Sequence, residues 1–162
     1  MRIAALSILL CPLSVQAQVR YHTRESVLSA FKDAEYAFSR FEDVTGDVAF
    51  DRWRAPSALR EKEMKALRAI RAEEEGAKRI VVRVERSQES ISGLDLLNVY
   101  SALGTCAIEL TSLSCDAQNF QEAGSTDIEK ASEASALSVD LARAASTALD
   151  SQTKLRVILH SC

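Results

Sequence analysis

Two histidines, His22 and His160, stand near opposite ends of the chain, so any catalytic base they supplied would meet its nucleophile only through the fold. Nucleophilic catalysis needs a base held beside a Ser or Cys. The sequence contains no Gly-x-Ser-x-Gly, no glycine-rich phosphate loop, no Cys-x-x-Cys, no His-Glu-x-x-His and no Glu-x-x-His. Zinc sites of the common kinds and the di-iron site of helical bundles therefore lack their ligands. His160 and Cys162 could offer two donors to a metal, but a Cys beside the C-terminus suits a disulfide better. Glu73-Glu74-Glu75 is the densest acidic run, and paired carboxylates can do acid and base work. Consecutive helical positions point to different faces, so the run reads as a solvated helix end. No catalytic, cofactor-binding or metal-ligating residue is assigned, and no cofactor is expected.

The clearest pattern is at the N-terminus. Arg2 precedes the apolar run Ile3 to Leu10, and Val15-Gln16-Ala17 places small or β-branched residues where a signal peptidase reads. The run holds about eight residues before Pro12, well short of the ~20 that span a bilayer. Residues 1–17 are expected to be a cleaved signal peptide and 18–162 a single exported domain, periplasmic or extracellular, with no transmembrane segment in the mature chain. Leu10 before Cys11 is not the small residue that lipidation prefers.

Cleavage after Ala17 leaves 145 residues with 19 basic and 23 acidic side chains. Cys106, Cys115 and Cys162 remain as disulfide candidates, and an oxidising compartment favours one bridge and one odd thiol. Cys106 and Cys115 lie nine residues apart, about 13 Å along a helix, whereas bridged Cα atoms are about 4.4–6.8 Å apart. The sequence therefore predicts a bridge from Cys162, to Cys106 if the chain turns near Asp150-Ser151 and the tail runs back along the bundle, or to Cys115 if the tail takes another path.

Charge is uneven. Residues 51–86 hold 11 Lys or Arg against 7 acids, and residues 87–162 hold 4 against 10. The basic segment offers Arg52, Trp53, Arg54, Arg68 and Arg71 as candidates for an anionic surface, with Trp53 as an interfacial anchor. Its basic residues are spread over more than half a helical turn and interleaved with Glu61 and Glu75, which suits ordinary solvation and pairs such as Glu61 with Lys65 better than a binding patch. Export and net acidity speak against nucleic acid.

The elements that would carry these residues are helical. Five Gly and two Pro in 162 residues are too few for a turn-dense β fold. Val27, Phe31, Ala34, Phe38 and Phe41 fall at spacings 4, 3, 4 and 3 over Thr23 to Phe41, giving one narrow apolar stripe. That aromatic stripe reads as core, though it could line a pocket. Residues 42–55 read as a connector. Leu59, Ala66, Leu67 and Ile70 mark a weaker helix ending near Gly76. Leu96, Val99, Leu103, Cys106, Leu110 and Leu113 define the strongest core helix, from Ser92 to Cys115, with Gly104 marking a close approach. Residues 115–124 read as a turn, Thr126 with Glu129 as a capping box, and the next helix as running to about Leu149.

The expected fold class is all-α, a bundle of about four main helices packed about 20° off antiparallel. Two short segments, 79–84 and 155–159, could form minor β-like pieces, since Ile80, Val82 and Val84 alternate. The function expected is that of a non-enzymatic envelope or protein-interaction module, its partner an unidentified protein or envelope component. The alternatives are binding of anionic envelope components through 52–86, and a small hydrolase whose site follows no motif.

Overall fold

The computed structural model describes residues 24–45, 57–86, 91–122 and 128–160. Residues 1–17, expected as a leader, the segment holding Arg52, Trp53 and Arg54, Thr126 of the expected capping box, and Cys162 lie outside the described residues. Four helices account for about 97% of the described residues, with no strand among them: α1 Arg24–Thr45, α2 Ser57–Arg86, α3 Gly93–Glu122 and α4 Ile128–Leu159.

Each helix turns one stripe inward at alternating steps of three and four residues. In α1 it runs Val27, Phe31, Ala34, Phe38, Phe41, Thr45, all buried. In α3 it runs Leu96, Val99, Leu103, Cys106, Leu110, Leu113, Ala117. In α4 it runs Ala134, Leu137, Leu141, Ala144, Ala148, Ser151, Leu155, Ile158. Such a repeat averages 3.5 residues and keeps one seam facing the neighbours, the packing of left-handed antiparallel bundles. Neighbours form a closed ring in chain order, α1 to α2 to α3 to α4 and back, and α1 barely meets α3 across the centre. Phe31, Phe38 and Phe41 are wholly buried, so the aromatic stripe is core; Phe38 and Phe41 meet edge to face at 5.5 Å.

Four sequence expectations are corrected. The connector begins later than residue 42, because α1 continues to Thr45, whose hydroxyl donates to the Phe41 carbonyl at 2.6 Å. The second helix does not stop at Gly76; it runs through to Arg86 and takes in 79–84 as helix. Val81 and Val84 face the core while Val82 is exposed, so the apparent alternation mixed two helix faces. Residues 115–122 continue α3, and 155–159 continue α4, with Leu155 and Ile158 buried.

Ser92 caps α3: its hydroxyl accepts the Asp95 backbone N–H at 3.1 Å, the usual role of a Ser at this position. By length and composition Gly93–Phe120 could cross a membrane, and it is the one such helix among the described residues. In the bundle its apolar stripe is core instead. α3 and α4 pack closest. Ser114 Oγ donates to the Ser138 carbonyl at 2.8 Å, and Ser138 Oγ returns a bond to the Ser114 carbonyl at 3.0 Å. Further along, Gln152 Nε2 donates to the Tyr100 carbonyl at 3.1 Å, filling the space beside Gly104. The close neighbour at Gly104 is thus a side-chain amide, whereas the sequence suggested a helix backbone.

Candidate functional site

Titratable groups enter the interior at two places on α2. Its inward stripe reads Glu63, Leu67, Ile70, Glu74, Ala77, Val81, Val84, at steps of four and three, so two glutamates occupy core positions. Glu63 is 4% exposed, and its Oε1 has no hydrogen-bond partner among the described residues. Burial and the nearby Asp116 carboxylate raise its pKa from 4.5 to about 7. Arg60 and Lys62 pull the other way, but Lys62 is committed to Asp116 at 2.7 Å.

Glu74 is the centre of the second place. Lys78 Nζ lies 2.7 Å from Glu74 and 2.7 Å from Glu42 of α1, bridging the two helices. Burial raises the Glu74 pKa, the Lys78 hydrogen bond lowers that of Glu42, and the two carboxylates outweigh burial to raise that of Lys78. Thr45, Arg71 and Glu75 complete a groove of about 280 Å³. Three carboxylates and two cations line it, so its charges largely satisfy one another. A second groove of about 260 Å³ runs between α2 and α3 beside Gly76, Ile80, Asn98 and Ser101. Among the described residues no group of His, Cys, Asp and Glu could hold a metal ion.

The sequence-derived candidates are dispersed. Arg68 and Arg71 are exposed on α2, and Arg71 faces the acidic groove. Cys106 is buried, its Sγ 3.8 Å from the Ile70 carbonyl, and burial pushes its thiol up to about 12. Cys115 is exposed on the same unbroken helix, and both thiols are free. The turn at Asp150-Ser151 that would have favoured Cys106 as the partner of Cys162 does not occur. α4 runs straight past it, held by Ser151 Oγ to the Asp33 carbonyl at 3.0 Å and Lys154 to Asp33 at 2.7 Å. By the register of the Ser114–Ser138 and Tyr100–Gln152 bonds, His160 ends level with Ser92, about 21 Å along the axis from Cys106.

What the sequence reading missed is the burial of Glu63 and Glu74 and the makeup of one outer flank. The signal for the first was present: extending the Leu67 and Ile70 stripe in both directions by heptad steps lands on both glutamates. The flank is the outside of α3 and α4. Leu94, Leu97 and Ile108 are 64%, 50% and 70% exposed there, joined by Val139 and Leu149 of α4. Compared with known proteins, the chain matches no family model, no curated protein and no solved structure.

Proposed function

We propose that the chain is an exported helical module that acts by binding another protein through the outer flank of α3 and α4. One observation carries this reading: a run of exposed apolar residues lies on a flank of α3 that bears no charge. From Gly93 to Glu122 there is no Lys or Arg. Asp95 and Asp116 turn toward α2, where they pair with Arg83 and Lys62. Exposed apolar residues gathered on one uncharged flank favour an interaction site over bare solvated surface. Export is supported by the leader pattern of residues 1–17, and cleavage would leave Gln18 as the first residue on N-terminal sequencing.

The test is site-specific photocrosslinking in the native source. A photoreactive residue at Ser101, on the flank, is expected to yield a defined protein adduct, and one at Arg79, on the charged face of α2, is expected to yield none. Equal labelling from both positions, or none from either, would remove the proposal.

A further inference from the structure

The flank has the size and chemistry of a self-association surface. Leu94, Leu97, Ser101, Thr105, Ile108, Ser112 and Cys115 recur at spacings 3, 4, 4, 3, 4 and 3, nearly opposite the core stripe of α3. Beside them on α4 stand Val139, Ala142, Ser146 and Leu149, all exposed, at spacings 3, 4 and 3. None of these eleven positions carries a charge, and the exposed Asp140 and Arg143 that border them on α4 pair with each other at 3.6 Å. The α3 stripe is about 32 Å long at 1.5 Å per residue, and two helices side by side are about 20 Å wide. That is roughly 600 Å² on one copy, and two copies together would pass the ~1,000 Å² that a specific interface needs.

We propose that the occupant of this flank is a second copy of the chain, joined about a two-fold axis with the two α3 helices antiparallel. The proposal rests on the module reading above and names its partner. A two-fold contact sets a patch against itself, so any charge near the axis would meet its own like. A patch without charge escapes that repulsion, while a charged partner would find nothing on it to pair with. The flank also alternates large and small side chains: Leu97, Ile108, Val139 and Leu149 stand among Ser101, Thr105, Ala142 and Ser146. Ridges on one copy then meet low ground on the other, which lets helices approach to ordinary packing distance.

The experiment is sedimentation equilibrium of the exported protein and of two flank variants, Ile108→Glu and Leu97→Glu, with Arg79→Glu as the α2 control. Ile108 and Leu97 are half or more exposed, so the variants are expected to keep the helical circular dichroism of the parent. Wild type and Arg79→Glu are expected at twice the chain mass. Each flank variant is expected to weaken dimerisation at least tenfold, because a carboxylate is buried without a partner. A monomeric wild type, or a dimer unmoved by either flank variant, overturns the proposal. A monomer that still crosslinks to a different protein from Ser101 overturns the dimer and leaves the module reading standing. Flotation of the wild type with phosphatidylglycerol vesicles, abolished by Ile108→Glu, would assign the flank to a membrane and overturn it too.

Discussion

Cys106 on α3 and Glu63 on α2 test the interior directly. Cys106 and Cys115 share α3, yet one is wholly buried with its thiol pushed up to about 12 and the other is exposed. Since the thiolate is the reacting form, a maleimide reagent is expected to label Cys115 within minutes in the Ile108→Glu variant, where the flank is uncovered, and Cys106 only after denaturation. Simultaneous labelling of both in the folded protein would contradict the placement of α3. Glu63 gives a pH signature. Its pKa is raised to about 7 in the fold against 4.5 when free, so between these values the native chain binds more protons than the unfolded one. Stability therefore falls as pH rises through this window, and the loss is complete above pH 7. Glu63→Gln is expected to remove that slope and to stabilise the protein at pH 8 by about 1–2 kcal/mol, with little change near pH 4, as read by urea denaturation at both pH values. A variant that loses stability at pH 8 would show that the ionised carboxylate has a partner.

At the level of helices, the two interior glycines make opposite demands. A Cβ at Gly76 meets nothing within 4 Å, so Gly76→Ala is expected to stabilise α2 by about 0.5–1 kcal/mol through helix propensity alone. A Cβ at Gly104 would displace the Gln152 amide and its bond to the Tyr100 carbonyl. There the same gain is offset, and Gly104→Ala is expected to be neutral or mildly destabilising in thermal denaturation. A destabilising Gly76→Ala would mean that α2 is broken there, as the sequence first suggested. The two strong stripes, on α1 and α3, were legible because uninterrupted apolar residues at steps of three and four permit one reading. α2 was harder: Glu63 and Glu74 interrupt its stripe, and a polar residue at a core position looks like a boundary. In the fold Glu74 pairs with Lys78 one turn further on, and Glu63 is buried with its Oε1 unpartnered among the described residues. The ends of α3 and α4 were misjudged for a related reason. Polar runs such as Asp150-Ser151 resemble stops, but Ser151 satisfies its hydroxyl on the Asp33 carbonyl of another helix. The outer flank was hidden because stripes on opposite sides of one helix blur into general hydrophobicity.

Across the whole molecule, exposed charge is densest on α2, while exposed apolar residues gather on the flank of α3 and α4, bordered on α4 by the Asp140–Arg143 ion pair. α2 shows Arg60, Glu61, Lys65, Arg68, Arg79 and Arg86 to solvent, whereas α3 and α4 share the uncharged flank. Self-association through that flank is expected to be almost independent of salt in sedimentation experiments, since salt screens only charged contacts. Reversing Arg68 and Arg71 to Glu is likewise expected to leave it unchanged. A dimer that dissociates as salt rises would put the contact on α2. The register between α1 and α4 has a further consequence. Asp33 lies beside Ser151 and Lys154, so extending that pairing to the helix ends sets Arg24 level with His160. An even number of helices brings the path back to the pole from which it set out. A tether attached beyond either of these helix ends would therefore hold the molecule by the same pole, and because the antiparallel dimer points the poles of its two copies in opposite directions, tethers on the two copies would leave the pair from opposite ends.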